Sequence, residues 1–285
     1  MTTAAYGPAA GLPTRSRWAG LRANAGGVYI VWYREVLRYR RDRARLISSL
    51  GQPLLFLVVF GSGLTASLGA GLTRELGDVS YVRFLFPGIV AMAVLFTAVF
   101  SAISIVWDRE FGFLREVLVA PLSRAAVVLG KALGGSTVAM CQGAILLILA
   151  PILGVSLDPL LVLKLLGLMF LTAFALTSMG ILIAARLQSM EAFQMIMNFL
   201  IMPMFFLSGA FFPLRGLPAW MSVITRLDPV AYGVDPMRRL LLGANLAPGI
   251  KIANHHLGTV EDALILAAFA ALMMALAVWA FEAQE

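Results

Sequence analysis

Uncharged apolar stretches recur six times along the chain, at 46–73, 84–107, 132–157, 165–185, 192–214 and 263–281. A helix rises about 1.5 Å per residue, so crossing a hydrocarbon layer takes roughly 17–25 residues. All six stretches meet that length, and together they make up about half the chain. A membrane β-barrel would read instead as short alternating segments. The pattern predicts an all-α membrane protein with six transmembrane helices.

The segments between the stretches carry their own patterns. Residues 28–47 read as an amphipathic interfacial helix. Arg34, Arg38, Arg41 and Arg45 share one side, with Tyr29, Trp32, Val36, Tyr39 and Ile47 roughly opposite. Such a helix suits the surface of a membrane, its basic side toward water or anionic headgroups. Residues 1–27, rich in Ala, Gly and Pro without an apolar signal-peptide core, are expected to form a flexible cytoplasmic tail. Residues 48–285 are then the six-span domain.

Within the loop 107–124, a short helix is expected over 108–120, capped by Asp108 and stopped by Pro121. Its Phe111, Leu114 and Leu118 fall on one side, and Arg115 and Glu116 point elsewhere. The segment 211–245 is broken by prolines, and two short helices fit between them, at 218–227 and 235–242. The second would take Asp235 as cap, Pro236 as its first residue and Gly243 just past its end. Neither can span, so both are expected on the external side, lying in the outer leaflet or folding back onto the bundle as re-entrant pieces. Phe86-Pro87-Gly88 predicts a local break in the second span.

Composition sharpens the class. Of 285 residues, 60% are hydrophobic and only 13% charged, against about 25% charged in a soluble domain. An ordinary soluble enzyme is excluded. The formal net charge is +7, and residues 1–47 already hold nine arginines against Glu35 and Asp42. This bias places the N-terminus in the cytoplasm, and six spans return the C-terminus there. The basic excess therefore reports orientation and not a nucleic-acid partner.

Catalytic patterns are missing. Gly130-Lys131 is followed by Ala132, so there is no GxxxxGK[ST] phosphate loop, and no HExxH occurs. His255 and His256 lie in a loop without a third ligand nearby and are expected to be solvated; the single Cys141 is expected to be a small packed residue. No Asp, Glu, His, Lys or Arg lies inside any of the six stretches, which argues against a proton-coupled carrier. The fifth stretch offers Asn198 among Met195, Met197, Met202, Met204, Phe205 and Phe206. Asn198, Met195, Met202, Phe205 and Phe206 are the candidates for lining a path. The methionines suit an adaptable apolar surface.

The basic N-terminal helix, Phe86-Pro87-Gly88, the loop WDREFGFLREVLVAPLSR, the segment FLSGAFFPL and LDPVAYGVDPMR follow one another between the six spans. In this order they resemble the membrane subunits of ABC-2-type exporters, especially drug-exporter and nodulation-factor-exporter permeases. The resemblance implies a homodimeric or pseudo-dimeric permease in a bacterial inner membrane, bound to two separate ATPase subunits. ATP and magnesium would then sit in those partners, with no cofactor in this chain. It further implies that Asp108, Arg109, Glu110, Phe111, Leu114, Arg115, Glu116 and Leu118 form the ATPase-coupling helix. Pro229, Tyr232, Asp235 and Arg238 would belong to an external gate, in which Asp235 and Arg238 pair one turn apart. A span lining free of charge points to a lipophilic or amphipathic export substrate, a drug or a lipid. A glycan or lipid-linked polysaccharide is the alternative cargo, and a non-transporting membrane assembly subunit the alternative role.

Overall fold

The computed structural model describes residues 17–76, 79–111, 122–214, 217–243, 249–252 and 255–283. Leu114, Arg115, Glu116 and Leu118 of the expected coupling helix lie outside the described residues. The elements are α1 (Arg17–Arg41), α2 (Arg43–Leu76), α3 (Tyr81–Ser101), α4 (Ile103–Glu110), α5 (Arg124–Leu147), α6 (Pro159–Arg186) and α7 (Met190–Leu207). They continue with α8 (Ala219–Leu227), α9 (Ala231–Leu242), β1 (Lys251–Ile252), β2 (His255–His256) and α10 (Thr259–Glu282).

Among the described residues, five helical rods are long and apolar enough to cross a membrane: α3 with α4, α5, α6, α7 and α10. The sixth predicted span falls in α2, where Ile47–Gly63 is a shorter apolar helix among the described residues. The protein is an all-α membrane protein, with one small exception. Lys251–Ile252 and His255–His256 pair antiparallel in a two-residue hairpin where a plain loop was expected.

α3 is the centre of the bundle. Nearly all its side chains are buried, and α2, α5, α6 and α9 pack on it. Pro87 does not break it: α3 runs on to Ser101, and the rod turns at Ala102 before α4. The neighbouring Gly88 serves a close approach instead. A Cβ there would lie 2.5 Å from the Ala210 carbonyl oxygen.

Two helix boundaries also differ from the pattern. The N-terminal helix expected over 28–47 begins at Arg17, inside the expected tail, and ends at Arg41. Arg43 and Arg45 therefore belong to α2. The helix expected from Asp235 begins at Ala231, because the Asp228 side chain accepts the Val230 N–H (2.9 Å) and its carbonyl accepts the Ala231 N–H. Asp235 and Pro236 lie inside α9, and Gly243 (φ 90°) ends it as expected.

Candidate functional site

Polar side chains gather at the two ends of the α3–α4 rod. At the α4 end, α1 lies along α5. Gly130 and Gly134 open the seat: a Cβ on them would lie 2.7 Å from Val31 Cβ and 2.6 Å from Glu35 Cβ. α1 is therefore not simply a helix laid on a surface, since part of it is docked on a candidate span. Further along, Tyr39 Oη and Ser49 Oγ both donate to Gln142 Oε1, joining α1, α2 and α5.

This packing brings four charges together. Lys131 Nζ, buried on α5, lies 2.7 Å from Asp108 Oδ2 and 3.3 Å from Glu35 Oε1, and donates to Ser104 Oγ. Arg34 Nη2 approaches Asp108 Oδ2 at 3.1 Å and Glu35 at 3.7 Å. Two cations thus balance two carboxylates, which is what tolerates charges with little water. Asp108 was expected to cap a separate helix; it sits instead in the last turn of α4, tied to α1 and α5.

Next to it, Arg109 donates to the carbonyls of Leu187 and Ala185 at the end of α6. Arg124 does the same for Phe281 and Glu282 at the end of α10. Carbonyls at a helix C-terminus lack helical partners, so a guanidinium is a natural cap there. Beyond these anchors, Glu110, Phe111 and Trp107 point outward, with Phe111 59% exposed. Arg38 and Arg41 are exposed, and the Arg38 guanidinium lies over the Trp107 ring at 5.6 Å.

At the other end of the rod, three motif segments meet. The chain leaves α7 through a turn at Gly209 (φ 78°). Buried Arg238 donates to the carbonyls of Gly209 (2.8 Å) and Ala210 (3.0 Å) and lies 4.0 Å over the Phe84 ring. Tyr81 donates to the Phe211 carbonyl, and Thr225 to that of Leu207. Tyr232 Oη donates to the Arg226 carbonyl, and Pro229 is buried beside it. The four gate candidates are all buried on or just before α9, but the expected Asp235–Arg238 pair is not the ion pair that forms. Asp235 Oδ2 lies 3.1 Å from Arg239, because four residues along a helix align where three did not here.

Burial sets the charge states of this cluster. It pushes the Asp228 carboxyl up to about 8, against the pull of the Val230 N–H. It raises Asp235 as well, with Arg239 and Arg238 opposing. The Arg238 guanidinium is brought down to about 10 by the same burial. Asp262, fully buried on α10, faces Asp235 and Arg239, and no N–H donor reaches either of its oxygens among the described residues. His255 is exposed and pairs with Glu261.

The path candidates divide. Met195, Asn198, Met202 and Phe206 are exposed on α7, together with Phe199. Phe205 is in the core, its ring against Phe56, Phe96, Phe206 and Phe211, so it lines nothing in this chain. Cys141, expected to be packed, is exposed.

Comparison with known proteins gives a concordant result. The model of the ABC-2 type transporter family matches residues 27–242. A putative transport permease ycf38 of Cyanophora paradoxa is 30% identical over 216 residues, covering 75% of this chain and 73% of the relative. Nodulation protein J of Rhizobium meliloti (strain 1021) is 30% identical over 231 residues, covering 80% and 86%. Nodulation protein J of Rhizobium leguminosarum bv. trifolii is 30% identical over 228 residues, covering 79% and 84%.

Proposed function

This chain belongs to the ABC-2 type transporter family, and we propose that it is the path-forming permease of an ATP-driven exporter. It is a multi-pass membrane protein with the transport role of that family. In our reading the membrane is a bacterial inner membrane, and the α1–α4 end and both termini face the cytoplasm. The permease works as a homodimer with two separate ATPase subunits, which hold ATP and magnesium.

One observation carries the coupling role. Trp107, Glu110 and Phe111 form an outward-facing knob on a helix end that is fastened from three sides. Asp108 ties it to α1 and α5, and Arg109 ties it to α6. A push on Phe111 would thus reach three helices without spending itself on local bending. The sequence carries no GxxxxGK[ST] phosphate loop, and in our reading the force enters from the ATPase subunits.

The cargo we infer is lipophilic or amphipathic. The exposed face of α7 offers Met195, Phe199, Met202 and Phe206, with the amides of Gln194 and Asn198. Such a face binds by buried area, about 25 cal/mol per Å². Across two copies it would form the walls of the path.

Pull-down of the partner ATPase, with its hydrolysis rate measured in lipid, tests the reading. Phe111→Ala and Glu110→Lys should each leave the permease in the membrane and cut ATPase capture by about tenfold. Capture and hydrolysis equal to the unmodified chain in both variants would show that the knob is not the docking element.

A further inference from the structure

Three adjoining cavities run inward from the basic side of α1. The outermost is an open groove of about 660 Å³, lined by Arg34, Leu37, Arg38, Arg41, Asp42 and Asp108. It shares Arg38 and Asp42 with a cavity of about 390 Å³ between α1, α4, α5 and α7. There the walls include Tyr39, Phe100, Trp107 and Gln194. That cavity in turn shares Tyr39 and Phe100 with a third, of about 270 Å³, between α2 and α3. Gln52, Met92, Phe96 and Thr97 are among its walls.

Chemistry changes in one direction along this series. The groove carries a positive excess: the exposed guanidiniums of Arg34, Arg38 and Arg41 face Asp42 and Asp108, and Asp108 is held by Lys131 together with Arg34. Arg38 marks the entrance to the aromatic part, because its guanidinium stacks on Trp107, which lines the middle cavity. Beyond Phe100 no charged side chain lines the walls, and the hydroxyl and amide groups of Ser48, Ser49, Gln52 and Thr97 share them with apolar side chains. The middle cavity has the size of a small-molecule site, about 300–1,000 Å³. Guanidiniums recognise phosphate and carboxylate oxygens, and aromatic walls hold apolar bodies by area.

From this polarity we propose that the series is a loading site within one protomer, which takes an amphiphile with an anionic head. The head sits at Arg38 and Arg41. The body lies between Tyr39, Trp107 and Phe100 and reaches toward Phe96. The inference deepens the exporter reading and rests on it: it assigns the substrate a negative charge, which the span lining alone does not specify.

The test uses the full chain with its ATPase in phosphatidylcholine nanodiscs, probed by 11-(dansylamino)undecanoic acid, its methyl ester and the short dansylglycine. The acid should bind saturably and change the ATPase rate. Arg38→Gln should weaken the acid about tenfold and the ester less than twofold. Gln52→Trp, at an exposed position on the inner cavity, should weaken the long acid and spare dansylglycine. Size-exclusion profiles of both variants check that they fold. Equal affinity of acid and ester, or unchanged binding in Arg38→Gln, overturns the proposal. So does acid binding abolished by phosphatidylglycerol in the disc with no ATPase response, which would make the cavities a resident-lipid site. These results leave ATPase capture by the unmodified chain untouched, whereas absence of that capture would sink the exporter reading itself.

Discussion

Single buried charges organise both ends of the α3–α4 rod. Lys131 holds Asp108 and Glu35, while Arg238 holds the carbonyls that follow α7. Neither role was legible in the sequence, and the reason is physical. Reading spans as stretches free of charge cuts the chain at each ionisable residue. Lys131, Asp108 and Asp262 each directly flank one of the six stretches, so they read as loop. A charge paired inside the fold satisfies its own burial, and only its partner, distant in sequence, reveals it. Asp228 provides a test at this scale. Burial pushes its carboxyl up to about 8 from 3.8. Between these values the unfolded carboxyl is ionised while the folded one keeps its proton. The contribution of Asp228 to stability is therefore lost as pH rises through that window. Asp228→Asn keeps an oxygen to accept the Val230 N–H and has no proton to lose. Thermal unfolding in detergent from pH 4 to 9 should show a shallower fall for the variant; parallel curves would mean that Asp228 is ionised in the folded protein.

Elements were easier to read than contacts between them. Long apolar runs mark their own helices, since length and apolarity alone satisfy a membrane's demand for internal hydrogen bonds. The end of α9 was legible in Gly243. Its start was not, because 228–229 and 235–236 are both Asp-Pro and nothing local tells which of them precedes the helix. For α1 the basic side was legible and the docking was not. The seat depends on Gly130 and Gly134, whose meaning is the absence of a side chain opposite Val31 and Glu35. Gly134→Leu should therefore lift α1 from α5, at a cost of roughly 1–3 kcal/mol typical of overpacking. Val31 is 6% exposed in the seat. In a Cys141→Ser background, Val31→Cys should react slowly with a membrane-permeant maleimide and at least tenfold faster once Gly134 is Leu. Equal slow labelling in both would show that the seat accommodates the larger side chain.

At the scale of the whole molecule, the fold has a rigid centre and loosely covered flanks. α3 is buried on nearly every side, whereas α7 and α10 keep most of their surface uncovered in the chain. Such apolar faces are at home against lipid or a second copy, and the motifs bracket them. Phe86-Pro87-Gly88, the turn at Gly209 and α9 meet at one end, with the knob of α4 at the other. Sequence order showed that these motifs belong to one family; only the packing shows that three of them form one cluster. In the function proposed above, ATP hydrolysis in a separate subunit drives transport through this chain. The most direct test of that function is uptake into inside-out vesicles containing the chain and its ATPase, with a panel of lipophilic dyes, lipids and lipid-linked glycans. An amphiphilic member should be taken up in a manner that needs ATP and both chains and is lost in Phe111→Ala. Uptake that proceeds without ATP, or without this chain, would contradict it.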